Sequence, residues 1–258
     1  MKIEGCTALV TGANRGIGLG FVEELLAEGA AHIYAAARSA EDAATLSAMG
    51  DGRVTGIVLD VTRPEQVAAA AAACTGVSLL VNNAGAFNRH TLMRAPDMGS
   101  MRHEMEVNFF GLVAMCRAFA PILGANGGGA IVNVLSAGAI VPVPEMGGYS
   151  PSKFAARAAG DCIRAELAGQ GTAVTSLIVG SVDTRMAEHV KGVDKASPRD
   201  IARAGLLAVR HGLEEHDTDR HAVEVRAFLA RDPHRLRLSM VQRMAKLQAR
   251  WQAEGTGK

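Results

Sequence analysis

The feature that most constrains this chain is a strand, a glycine turn and a helix in immediate succession near its N-terminus. An apolar run at 8–10 leads straight into Thr11-Gly12-Ala13-Asn14-Arg15-Gly16-Ile17-Gly18, and helical spacing follows over 17–28. Gly12 can turn the chain sharply, Gly16 lets the backbone approach a pyrophosphate, and Gly18 permits close helix packing. The helix start offers free N–H donors and a partial positive charge to phosphate oxygens. A glycine cluster alone marks an ordinary turn; between a strand and a helix it predicts a dinucleotide site contacted by Gly12, Asn14, Arg15, Gly16, Ile17 and Gly18.

Beyond that turn, short apolar runs keep alternating with longer helical patterns. Strands are expected at 8–10, 32–36, 54–59, 79–82, 130–135 and 174–179, and helices at 17–28, 41–49, 64–74, 98–123, 152–170 and 198–212. The strand runs are apolar continuously, as in strands covered by helices on both faces. Right-handed crossovers then give an α/β fold, a doubly wound Rossmann-type parallel sheet in a three-layer αβα sandwich. At 258 residues a single domain over 1–258 is expected. Within it, 185–230 reads as a substrate loop or lid and 235–253 as a C-terminal helical extension, with Leu236, Leu238, Met240, Val241, Met244, Leu247 and Trp251 as its apolar stripe. Six alanines at 68–73 need no reading beyond good helix formation.

Composition removes several classes. Hydrophobic residues make up 48% and charged ones 21%, which excludes disorder for most of the chain. Cys6, Cys74, Cys116 and Cys162 are far apart and form no CxxC pair, so no metal site is expected and a reducing, cytoplasmic compartment fits best. A formal net charge of +1 argues against nucleic acid as a partner of the whole chain. The charge-free stretch 118–144 contains prolines, asparagines and glycines and reads as helix end, loop, strand and loop, so no membrane span and no targeting segment are expected.

Cofactor choice turns on the end of the second strand, where an acidic residue would bind the 2′-hydroxyl of NAD. Arg38 stands there instead, and no Asp or Glu occurs between Glu28 and Glu41. An arginine can pair with a 2′-phosphate, and Arg15 in the glycine turn would form the other jaw. NADP(H) is therefore expected in preference to NAD(H). The bland alternative is that both arginines only solvate the sheet edge.

A second constellation is Tyr149-Ser150-Pro151-Ser152-Lys153 at a helix start. The i, i+4 spacing puts Tyr149 and Lys153 on one face. A phenol ionises near pH ~10, and a nearby ammonium and helix N-terminus should favour its phenolate, bringing it towards general acid/base use. Ser136 ends the fifth strand and could hydrogen-bond the same substrate oxygen. Asn82-Asn83-Ala84-Gly85 ends the fourth strand, and Asn108 is a polar residue midway along an apolar helix. Each alone could be a cap, a turn or a satisfied buried amide. Facing one crevice, they point to a catalytic site.

In their order and spacing these motifs resemble the short-chain dehydrogenase/reductase family, over residues 5–185. The resemblance implies that Asp60 and Val61 meet the adenine, that Asn83, Ala84 and Gly85 line the cofactor, that Tyr149 and Lys153 contact its ribose end, and that Val182 and Thr184 contact the carboxamide. It implies a catalytic set of Asn108, Ser136, Tyr149 and Lys153, a small-molecule carbonyl or alcohol substrate, and a homodimer or homotetramer. In reduction, Tyr149 would protonate a carbonyl oxygen held with Ser136, Lys153 would lower its pKa, and Asn108 would reconnect the proton path through water. Imine reduction or alcohol oxidation by the same residues is an alternative, as is a non-catalytic NADP(H)-binding sensor or scaffold.

Two departures from the family pattern stand out. Val179-Gly180 replaces Pro-Gly after the sixth strand, which predicts a less rigid loop, and 214–219 is so polar that a seventh strand must be short or displaced. Ala137, Ala139, Val141, Pro142, Met146, Phe87, Leu92, Met93 and Met186 are the expected pocket wall, suiting an apolar or bulky substrate. Charge divides in the same place as the pattern: 1–184 carries 12 basic and 16 acidic residues, 185–258 carries 15 and 10.

Overall fold

A computed structural model of the protein describes residues 1–190, 192–253 and 255. Position 191 of the expected lid, and 254 and 256–258, lie outside the described residues. Strands β1 (Thr7–Val10), β2 (His32–Ala37), β3 (Val54–Val58), β4 (Leu79–Asn82), β5 (Gly129–Val134), β6 (Thr172–Ile178) and β7 (Glu215–Asp217) form one parallel sheet in the order β3-β2-β1-β4-β5-β6-β7. The order reverses between β1 and β4, and the crevice beyond their C-terminal ends is where ligands bind in such sheets.

Neighbouring residues on a strand feed opposite layers. In β1, Ala8 and Val10 join Phe21 and Leu25 of α1 (Gly16–Ala27), whereas Leu9 joins a second core on the other face. That second core draws Met115, Phe119 and Leu123 from the long helix between β4 and β5. Each such fully buried side chain contributes roughly 1.5–3 kcal/mol. Helices α2 (Ala40–Ser47) and α3 (Pro64–Ala73) follow β2 and β3. α7 (Pro198–His211) lies on α1 so closely that a Cβ on Gly205 would be 2.7 Å from the Phe21 ring.

The helix expected at 98–123 runs from Gly99 to Ala125 as α4 (Gly99–Met105), a π turn (Glu106–Gly111) that carries Asn108, and α5 (Leu112–Ala125). Among the described residues it is the one helix long and apolar enough to cross a membrane, yet Met115, Phe119 and Leu123 are packed into the core. α6 (Tyr149–Leu167) begins at Tyr149 itself, with Pro151 in its first turn where its missing N–H costs nothing.

The seventh strand is short and at the sheet edge, as its polarity predicted. Its carboxylates are used: Glu215 takes the Arg157 guanidinium, and Asp217 takes Arg226 at 2.6 and 2.8 Å. Within the span expected as a lid, the described residues of 185–190 and 192–197 are loop and single-turn helix; α7, β7 and α8 (Arg220–Arg231) follow, built into the layers. The loop after β6 is also not loose, because Asp219, which caps α8, accepts the Gly180 N–H at 2.6 Å.

The C-terminal helix α9 (Pro233–Ala253) buries Leu236, but Leu238 and Val241 of the expected stripe face solvent. Arg243 reaches Glu145 at 2.6 Å, and the Arg94 guanidinium lies 4.2 Å from the Trp251 ring centroid.

Candidate active site

A cleft of about 1100 Å³ runs along the C-terminal ends of the strands, from Arg15 and Arg38 at one end to Ser136, Tyr149 and Lys153 at the other. Gly12 and Gly16, at φ +63° and +55°, shape the turn at the Arg15 end, and a Cβ on Gly16 would stand 3.3 Å from Thr184. Gly18 lies beneath the turn rather than on the cleft wall: a Cβ there would be 2.2 Å from the Gly12 carbonyl oxygen. The two turns are stitched together by Thr11, whose hydroxyl accepts the Asn83 and Ala84 N–H groups at 3.0 Å, while Asn83 Nδ2 donates to the Thr11 and Gly12 carbonyls. Nothing in the motif spacing marked Thr11 for that role.

Asn14, Ile17, Asp60, Val61, Gly85, Val182 and Thr184 all line the cleft beside the arginines. Burial pushes the Asp60 carboxyl up, but hydrogen bonds from Thr62 and the charges of Arg38 and Arg63 outweigh it and hold the pKa below its ordinary value. Asp42 also lines the cleft, accepting Asn14 Nδ2 at 3.1 Å and the Ser39 hydroxyl at 2.8 Å. The sequence signal was the Ser-x-x-Asp cap at 39–42, which turns that acid back towards the strand end.

At the other end Tyr149 is 8% exposed and Lys153 5%. Ser136, whose Oγ accepts the Gly138 N–H at 3.0 Å, lines the same cleft as the Tyr149 phenol. Lys153 Nζ donates to the Val134 carbonyl at 2.9 Å and stands 5.7 Å from the Tyr149 ring centroid. The electrostatics differ from the sequence expectation of a lowered phenol pKa. Burial pushes Tyr149 up to about 12, Ser136 pulls it down and the Glu104 carboxylate pushes it up. Burial equally pushes the Lys153 ammonium down to about 8. Desolvation disfavours whichever form is charged, and here it outweighs the neighbours.

Asn108 is 1% exposed and does not reach the cleft wall. Its Oδ1 accepts the Ala86 N–H at 2.8 Å, and its Nδ2 donates to the Ala86 carbonyl and to Ser152 Oγ at 2.9 Å. Of the expected pocket wall, Phe87, Met146 and Met186 line the cleft; Ala139 and Val141 are core residues and Met93 is 89% exposed. Val143, Val190, Val193, His189 and Arg243 complete the wall instead. Those positions come together only through the loop before α6, the residues at 189, 190 and 193, and α9.

The model of the short chain dehydrogenase family matches residues 6–193, so the chain belongs to that family, and it is an oxidoreductase by that membership. It is 37% identical over 190 residues to galactitol 2-dehydrogenase (L-tagatose-forming) of Cereibacter sphaeroides, covering 72% of this chain and 74% of that one. A short chain dehydrogenase from Burkholderia cenocepacia, solved in complex with NADP, superposes with a TM-score of 0.87 at 42% identity over 93% of this chain and 99% of the other. A relative from Burkholderia phymatum, solved with NAD, gives 0.79 at 25% identity over 90% and 95%.

Proposed function

We propose that the protein is an NADP(H)-dependent oxidoreductase that interconverts a carbonyl and an alcohol, with Tyr149 as general acid and base. The observation that carries this reading is the Ser136–Tyr149 hydroxyl pair beside Lys153 on one wall of a cleft whose far end presents Arg15 and Arg38. The cleft fits a nicotinamide dinucleotide: Gly12 and Gly16 leave space that a Cβ would fill, and Asp60, Val61, Asn83, Ala84 and Gly85 line the path between the two ends. Arg15 and Arg38 favour a 2′-phosphate, and the 42% identical Burkholderia cenocepacia protein was solved with NADP.

The nicotinamide, when bound, supplies or accepts the hydride. The chain's own residues handle the oxygen and its proton. Ser136 and Tyr149 hold the carbonyl oxygen between two hydroxyl donors and so polarise it. With its pKa near 12, Tyr149 is the protonated acid at neutral pH, the form that gives its proton to the developing alkoxide. Lys153, the buried ammonium beside it, is the nearest cation to the phenolate so formed. Asn108 keeps the wall in register through Ala86 and Ser152. Self-association through the helices carrying Asn108 and Tyr149 fits the exposed Phe110 and Phe154 there, and four free thiols fit a cytoplasmic setting.

Tyr149→Phe tests the assignment. Its turnover on a panel of ketones, ketoesters, quinones and cyclic imines should fall about 10²- to 10⁴-fold with NADPH binding intact. A variant that kept the parent rate would overturn it.

A further inference from the structure

Four residues before Asn108, on the same helix, lies a buried carboxylate that the family resemblance leaves without a role. Glu104 is 3% exposed. Its Oε1 accepts the Asn88 N–H at 2.7 Å, and its Oε2 packs against Gly148. A Cβ on residue 148 would stand 2.6 Å from Glu104 Oε2, so the helix start can approach the carboxylate only as glycine.

Asn108 makes the matching pair of contacts one step along each element. It holds Ala86, and it reaches Ser152, whose hydroxyl donates to the Tyr149 carbonyl at 2.7 Å. The two side chains thus form a ladder between the loop after β4 and the first turn of α6. One rung runs Ala86–Asn108–Ser152, the other Asn88–Glu104–Gly148. Phe87 sits between the two loop anchors, and its ring packs 5.1 Å from that of Tyr149. Tyr149 sits between the two helix anchors.

We propose that Glu104 is a positioning residue for this site, the second rung of that ladder, which fixes the backbone on either side of Phe87 and Tyr149 and sets a carboxylate charge against the phenol. This rests on the reading of Tyr149 as the acid. The groups facing the carboxylate are His103 on its own helix, His90 on the loop, and Tyr149 on α6; Tyr149 in turn faces Ser136 and Lys153. A negative charge there opposes phenolate formation and so adds to the effect of burial in keeping Tyr149 protonated for carbonyl reduction.

The chain's two tyrosines are Tyr34 and Tyr149. In a Tyr34→Phe background, phenolate ultraviolet absorbance therefore reports Tyr149 alone, over the pH range in which circular dichroism stays native. Adding Glu104→Gln should move that titration to lower pH, because the charge is gone. Glu104→Asp keeps the charge but is too short to span from Asn88 to Gly148, so it should leave the titration in place. Its kcat should fall about ten-fold or more while the KM for NADPH holds, as expected when reacting groups are misplaced.

Superimposable titrations of the Tyr34→Phe parent and its Glu104→Gln derivative would overturn the proposal, as would parent kcat in Glu104→Asp. If Glu104→Gln does not fold, the kcat and KM of Glu104→Asp decide alone. The titration needs no turnover. An active Tyr149→Phe enzyme would sink the functional reading, and the titration would still decide whether Glu104 acts on the phenol.

Discussion

At the Arg38 end of the cleft the functional side chains stand in solvent and the backbone does the shaping, whereas at the Tyr149 end the side chains are buried and they hold the backbone. Arg15 and Arg38 are exposed, and the turn beneath them is formed by glycines at positive φ. Tyr149, Lys153, Asn108 and Ser152 are all buried, each tied to a neighbour by a hydrogen bond. Charges in water interact weakly and are screened; buried groups shift their pKa values by whole units. One end can therefore bind and release, while the other controls where a proton sits.

After Tyr149→Phe, the largest effect separating the two ends is expected of Ser136→Ala. Losing one of two donors on the carbonyl oxygen should lower kcat about 10²- to 10³-fold. It also removes the hydroxyl that pulls Tyr149 down, so the phenol rises further. Alcohol oxidation needs the phenolate, so the acidic limb of its pH–rate profile should move to higher pH. A shift to lower pH would show that Ser136 does not favour the ionised phenol.

Arg38→Leu should act on binding alone, raising the KM for NADPH about ten-fold with kcat and NADH use little changed, since a charge-assisted hydrogen bond contributes about 1.5–3 kcal/mol before screening. Raising the salt concentration should shrink the difference between parent and variant. An equal loss with NADH would mean that Arg38 holds something other than the 2′-phosphate.

The smallest change is expected at the rim. Arg243 is more than half exposed in its pair with Glu145, so Arg243→Ala should cost less than about 1 kcal/mol by thermal unfolding. A larger loss would mean that α9 is a structural part of the cleft rather than its edge.

Legibility from sequence follows the same division. The strand, turn and helix at 8–28 could be read because each step is local: glycine tolerates the turn, and apolar spacing reports the element. The polarity of 214–219 predicted a seventh strand that is short or displaced, and β7 is three residues long. The π turn at 106–111 was not legible, since hydrophobic period assumes a regular helix and has no signal for one inserted residue. Most of the pocket wall was missed because Val143, Val190 and Arg243 are far apart in the chain and meet only through long-range folding.

The sequence by itself determined the α/β alternation, the glycine turn, the arginines at the second strand's end and the Ser136, Tyr149 and Lys153 set, because residue type and spacing act within one element. Only the tertiary structure decided that Tyr149 is buried and that Asn108 is hydrogen-bonded to Ala86 and Ser152. It also brought the Glu104 carboxylate against Gly148. Those properties depend on how much water is left around each group and on which distant backbone it meets, and neither is written in local spacing.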